Sequence, residues 1–309
     1  MHPYQNPLDD IRNFFSRKSL LPGLILINTG VFIIVQLFRV FFWLFQVKNP
    51  EIAGGEVSWI SYYLSVPASF KQLLQRPWTI FTYMFLHEGF FHLLFNMIVL
   101  YFGGRIFMEY LDKRRLLSVY ILGGLTGAVF YIAAFNFFPV FSSSVQYSIA
   151  MGASASVLAI LIAVATYVPE YSIILFLFGR IKLKYLALIL VLIDLLSIPR
   201  GNAGGHIAHL GGAFWGFLYI FLLKKGRDLS VSFHWLNFQR LHWPKRRPKK
   251  SASPYTGRPL SDDEYNERRR IHQERIDRIL EKISRSGYSS LTKEEKALLF
   301  QSSHKNTRQ

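Results

Sequence analysis

Three separated stretches carry side chains that could run acyl-transfer chemistry. Ser154 stands in Gly152-Ala153-Ser154-Ala155-Ser156, and His206 and His209 in Gly205-His206-Ile207-Ala208-His209-Leu210-Gly211-Gly212. His92 and Asn96 lie four residues apart in His92-Leu93-Leu94-Phe95-Asn96. A serine hydroxyl becomes a nucleophile when a neutral imidazole takes its proton. If Ser154 opens a helix, the first-turn N–H groups have no intrahelical partner and the dipole is positive there, which suits the oxyanion formed when serine attacks an amide. His92 and Asn96 are about 40° apart around a helix, so they share a face and could supply further donors. Alone, Ser154 would read as a packing serine, and His92 with Asn96 as interhelical hydrogen bonding. With His209 at matching depth, the four residues read as one site.

A metal is the competing chemistry. His87-Glu88 followed by His92 looks like a zinc-protease helix, but that motif needs histidines at i and i+4. Positions i and i+5 stand roughly 140° apart. The chain has no cysteine, which removes thiol nucleophiles and Cys-ligated metals, so neither metal nor cofactor is expected. His87 is expected to cap or anchor the preceding loop. Asp194, the one carboxylate deep in an apolar run, could assist a gate, but a residue this close to the interface is expected to reach water.

Something must bring these stretches together, and composition says what. The 309 residues are 51% hydrophobic, 18% charged and include 28 Phe. That is more apolar surface than a water-soluble globule of this length buries. Six apolar runs are each counted as a span: 21–45, 90–107, 116–138, 152–168, 183–198 and 205–223. The expectation is an all-α polytopic membrane protein whose six helices form a bundle. Residues 1–20 are polar and the first run is too long for a signal h-region, so it is read as retained. Residues 172–179 are set apart as an interfacial piece.

Short-loop Lys and Arg set the orientation. Arg12, Arg17 and Lys18 precede span one. Arg105, Lys113, Arg114 and Arg115 follow span two, Arg180 and Lys182 follow span four, and Lys224, Lys225 and Arg227 end span six. Both termini are therefore expected in the cytoplasm, in a plasma or inner membrane. Spans two, four and six then all run inward, and their first turns, which hold His92, Asn96, Ser154, Ser156, His206 and His209, share one layer just below the outer surface. Small residues at helical spacing on span four (Gly152, Ser156, Ala159, Ala163) and on span six (Gly212, Gly216) would let those helices approach closely.

The net charge of +17 is mostly in the tail: 21 of the 36 Lys and Arg lie from Lys224 onward. The domain reading is a cytoplasmic N-terminus (1–20), a membrane domain (21–225), a basic Pro/Lys/Ser-rich linker (226–260) and a small cytoplasmic helical hairpin (261–309). Ser261 with Glu264 and Thr292 with Glu295 are capping-box patterns for its two helices. Ile276, Ile279, Leu280 and Ile283 form an apolar stripe on the first. The tail's charge is read as a solvated face near anionic lipid, with no nucleic-acid partner.

These motifs, in this order and topology, resemble the rhomboid intramembrane serine proteases over roughly residues 20–225. The resemblance implies a six-helix core, Ser154 as nucleophile and His209 as general base in a dyad without an acid, and an oxyanion held by His92, Asn96 and the Ser154 N–H. It also likens the loop containing Pro77-Trp78-Thr79 to the family's membrane-embedded loop, and span five to its substrate gate. The function expected is an intramembrane serine endopeptidase acting on transmembrane substrates within the bilayer, near its outer face. The alternatives are a pseudoprotease that binds or chaperones membrane proteins, which would have lost the serine or histidine, and a transporter, for which no repeated halves are seen. Two positions depart from the family pattern: Ala155 replaces the glycine after the serine, and Thr79 replaces an arginine, which is expected to loosen the loop. The Ala155 methyl either strains the contact of spans four and six or is accommodated by its neighbours.

Overall fold

The computed structural model describes residues 20–52, 55–56, 58–175, 179–230, 262–292 and 294–296. Helices occupy all six apolar runs: α1 (Leu20–Leu44), α2 (Phe90–Tyr110), α3 (Lys113–Phe137), α4 (Ser154–Tyr167), α5 (Leu183–Ser197) and α6 (Ala203–Lys224). α1, α2, α3 and α6 are long and apolar enough to cross a membrane, whereas α4 and α5 have only 14 and 15 residues. The protein is mostly helical and membrane-spanning. Polar groups punctuate the helix starts. Asp112 caps α3 by accepting from the Arg114 and Arg115 N–H groups at 2.8 and 3.0 Å. Asn202, in the left-handed region at φ 49°, accepts from the Gly205 N–H before α6.

α4 is the centre of the bundle. Every residue from Ala155 to Ala165 is buried, while α1 and α5 show rows of exposed Leu, Ile and Phe. The small residues do what their spacing promised, through particular partners. A methyl on Gly212 would lie 2.1 Å from the Ala155 carbonyl oxygen, and one on Gly216 2.2 Å from that of Ala159. The backbones of α4 and α6 therefore touch. The other end of the bundle collects charge: Lys224 Nζ donates to the Thr166 carbonyl, and Arg115 pairs with Asp228 at 2.9 Å.

The first loop is stitched to the segment before Ser154. Strands β1 (Val66–Pro67) and β2 (Ile149–Ala150) pair antiparallel, with Val66 opposite Ala150. Gln72 Nε2 donates to the Gln146 carbonyl at 2.7 Å. Thr79 does not loosen this loop. Its hydroxyl donates to the Arg76 carbonyl, and Arg76, three residues earlier, is itself buried. The Arg76 guanidinium bonds the Tyr62 carbonyl and Gln72, and lies 3.9 Å over the Tyr62 ring. Residues 172–175 and 179–182 form a two-stranded hairpin leading into α5.

The chain divides into two compact units, Met1–Phe238 and Gln239–Gln309, a break inside the stretch read as linker. Pro244–Pro259 and Ser261 lie outside the described residues. In the second unit, α7 (Asp262–Ser286) ends at Gly287, whose φ is 75°. The second capping box closes reciprocally: the Thr292 N–H donates to Glu295 and the Glu295 N–H to Thr292 Oγ1. Lys282 pairs with Glu295 at 2.9 Å, and Ile279 and Leu291 are buried.

The Ala155 methyl faces Gly127 of α3. A Cβ on Gly127 of α3 would meet it at 2.7 Å, so α3 leaves room for the alanine. Ala155→Gly should therefore leave a gap and add unfolded-state freedom, lowering stability by about 1 kcal/mol without raising turnover. Gly127→Ala should overpack the same contact by about 1–3 kcal/mol. Thermal midpoints in detergent check both, and a stabilised Ala155→Gly would mean the methyl was strained.

Candidate active site

The polar residues of the even helices meet at the end of the bundle opposite the charge. Ser154 is the first residue of α4, after Gly152, whose backbone adopts φ +136°. A glycine is required there twice over. Its conformation disfavours a side chain, and a Cβ would lie 3.0 Å from His92 Cε1 and Nε2 and 3.4 Å from Ser154 Oγ. The Gly152 N–H donates to the Tyr83 carbonyl at 2.9 Å, which ties the serine's approach to the first loop.

From α6, nearly two turns inside its start, His209 places Nε2 2.6 Å from Ser154 Oγ. That is hydrogen-bond distance for a nucleophile and its base. The ring's other nitrogen, Nδ1, lies 2.8 Å from Asp194 Oδ1 on α5. Asp194 does not reach water as expected: it is buried, one of three buried residues on α5. A carboxylate only accepts, so the proton of His209 sits on Nδ1 and Nε2 turns its lone pair to the serine. The serine, histidine and aspartate therefore form a continuous line, where the sequence reading had no acid.

His92 and Asn96 share the same wall. The edge of His92 and the Ser154 hydroxyl face one small space beside Gly152. Asn96 Nδ2 donates one proton to the His92 carbonyl at 2.8 Å, and an amide NH2 has a second to give. His92, Asn96, Ser154, Asp194 and His209 all line a cavity of about 550 Å³ that runs between α2 and α5. Its floor is apolar, with Val157, Leu158 and Leu161 from α4.

Of the other two converging polar residues, one turns away and one meets the aspartate of the site. Ser156 faces Gly124 of α3, where a Cβ would be 2.6 Å from its hydroxyl. His206 Nδ1 meets Asp194 Oδ1 at 2.8 Å. Sequence reasoning missed Asp194 as a site residue. Its only signal was a lone carboxylate in an apolar helix, and no spacing within α5 announces a partner on α6.

A mostly helical membrane protein with a serine, histidine and aspartate lining one cavity is what its relatives can be set against. Residues 74–226 match the rhomboid domain family, and residues 261–305 match a family of unknown function (DUF6576). The chain is similar to RHOMBOID-like protein 12, mitochondrial, of Arabidopsis thaliana, 29% identical over 221 residues, covering 69% of this chain and 60% of that one. It is 30% identical over 172 residues to the presenilin-associated rhomboid-like protein, mitochondrial, of Bos taurus, covering 52% and 41%. The chain thus spans about half the length of these curated relatives. Its residues 74–226 belong to the rhomboid family.

His87, in the loop before α2, is fully buried with its ring 5.2 Å from that of His92. Burial, then the neighbouring His92, pushes its pKa down to about 4. The unfolded chain would protonate it near its ordinary value of about 6.5, so between those values the unfolded state binds more protons and stability falls as pH drops. Thermal midpoints measured from pH 7 to 4 should decline over this window, and His87→Phe should flatten the decline. An unchanged slope would remove His87 as its cause.

Proposed function

We propose that this protein is an intramembrane serine endopeptidase, in which Ser154 attacks a substrate amide while His209 takes the hydroxyl proton. The observation that carries the proposal is the 2.6 Å between Ser154 Oγ and His209 Nε2, with Asp194 on the ring's far side. The resemblance implied a dyad, and the contact supports adding Asp194 as the group that fixes the imidazole tautomer and steadies the imidazolium once formed. His92, Asn96 and the Ser154 N–H stabilise the oxyanion. His209 then returns its proton to the leaving amine, and water repeats the cycle on the acyl-enzyme.

The substrates are transmembrane segments in a bilayer, cut near the outer face. A straight helix of 14 residues spans roughly 21 Å against a hydrocarbon core of roughly 30 Å, which supports a serine end below the membrane surface. The cavity between α2 and α5 supports lateral entry there, past the sparsely buried α5. An entering helix must unwind locally, because its amides are hydrogen-bonded and shielded. The basic loops support cytoplasmic termini in a plasma or inner membrane, with the tail a separate cytoplasmic hairpin.

Ser154→Ala and His209→Ala should each abolish cleavage of a model transmembrane substrate with folding retained, and the double variant should be scarcely worse than either. Asp194→Asn should lower kcat at least ~10-fold with little change in KM, because it disturbs the tautomer and not the binding. Full activity of Ser154→Ala would end the serine reading.

A second comparison separates the histidines. His92→Ala and Asn96→Ala should reduce turnover about 10- to 1,000-fold with apparent affinity little changed, since their charge partner appears only in the transition state. His87→Ala should lower stability more than turnover. The reverse pattern, measured as turnover alongside thermal midpoints, would overturn the oxyanion assignment.

A further inference from the structure

Asp194 accepts from two imidazoles at one oxygen. His206 Nδ1 and His209 Nδ1 each lie 2.8 Å from Asp194 Oδ1, and the three ligand atoms are all within 4.8 Å of one another. Two residues at i and i+3 of α6 and one from α5 thus turn two ring nitrogens and a carboxylate oxygen to a common point. The proposed proteolysis uses one of these contacts and gives His206 no part.

Two imidazoles and a carboxylate make a borderline nitrogen–oxygen set, which suits Zn²⁺ or Co²⁺ better than Mg²⁺ or Ca²⁺. Ligands about 2.0–2.1 Å from a tetrahedral zinc stand about 3.3 Å apart, so each 2.8 Å contact would open by only about 0.5 Å. Asp194 and His209 both line the cavity, which gives an ion a route in. We propose that Asp194, His206 and His209 bind a zinc-type divalent cation, and that the bound ion switches the serine chemistry off. The second half rests on the Ser154–His209 reading above.

The switch follows from proton bookkeeping on one ring. A neutral imidazole has one N–H and one lone pair. Without the ion, His209 gives its N–H at Nδ1 to Asp194 and offers its Nε2 lone pair to Ser154. A cation on Nδ1 takes a lone pair there, so the ring's proton moves through water to Nε2. Nε2 then donates toward Ser154 Oγ and has nothing left with which to accept the serine proton. His206 makes the same exchange, and Asp194 trades two hydrogen bonds for one metal bond. Each ring keeps one proton, and no oxidant or base is consumed.

The test begins with binding, where turnover plays no part. Full-length Ser154→Ala protein in detergent, titrated with Co²⁺, should show the visible absorption of a tetrahedral cobalt site at one equivalent, displaced by Zn²⁺. His206→Gln, which keeps a side-chain donor, and Asp194→Asn should each weaken it by at least the ~10- to 100-fold typical of disturbing a metal's surroundings. The two variants lie on different helices, so a folding failure in one leaves the other readable. The chain has nine histidines, and only the part of the signal that these variants remove counts. In the protein with Ser154 intact, Zn²⁺ should suppress fluorophosphonate labelling, a chelator should restore it, and His206→Gln should be at least ~10-fold less sensitive relative to its own metal-free rate. Equal cobalt affinity in all three proteins would overturn the site, and bound Zn²⁺ without effect on labelling would overturn the switch. A His206-dependent cobalt signal in a protein that never labels would instead sink the serine reading, and the switch with it, while the cation site stood.

Discussion

The distance from Ser154 to His209 depends on how closely α6 can stand to α4, and that is limited by two glycines. Gly212 and Gly216 face the carbonyl oxygens of Ala155 and Ala159 with space for hydrogen atoms and little else. Two helices in lipid gain no hydrophobic drive from meeting each other, so backbone-to-backbone packing must supply it. Gly212 lies three residues past His209, and Ala155 follows Ser154, so the same contact that joins the helices also sets the proposed nucleophile against its base. A methyl at Gly212 would have to push backbone atoms, which do not give way as a side-chain tip would. Gly127 extends the arrangement to α3 by leaving room for the Ala155 methyl.

Around this contact the polar groups are arranged by what an apolar interior allows. A buried carboxylate needs hydrogen-bond donors, and Asp194 finds two imidazoles. The rest of α5 buries only Leu183 and Ala187 fully, with Leu186, Leu190 and Val191 packed partly against the core. Asp194 therefore joins a sparsely buried helix to the residues proposed to do the chemistry. The first loop acts from the other side: β1 pairs with β2, Tyr83 holds Gly152, and the buried Arg76 ties the loop to itself. Both the shape of the serine's approach and the base behind it are set by segments far apart in sequence.

Much of this was legible in the residues themselves. The helix positions followed from apolar runs, since a long greasy stretch has few other fates, and Ser154, His209, His92 and Asn96 followed from polar side chains placed at one depth on alternate spans. The reciprocal Thr292–Glu295 cap was visible as a four-residue pattern because its bonds are local. The Asp194 contact was not, because it joins α5 to α6 and depends on rotamers that no periodicity encodes. Nor was the accommodation of Ala155, since the glycine that admits it is 28 positions earlier, on α3. Arg76 shows the same limit: its guanidinium holds the loop through Tyr62 and Gln72, contacts that no local pattern announces.

The central claim is that Ser154 is an activated nucleophile and that His209 activates it. Reaction with a fluorophosphonate probe, in detergent or liposomes, measures that property with no substrate required. The account predicts covalent labelling at one site, mapped to Ser154, absent in Ser154→Ala and strongly slowed in His209→Ala while both variants remain folded. Undiminished labelling in Ser154→Ala, or a folded metal-free wild-type protein that never labels, would contradict it.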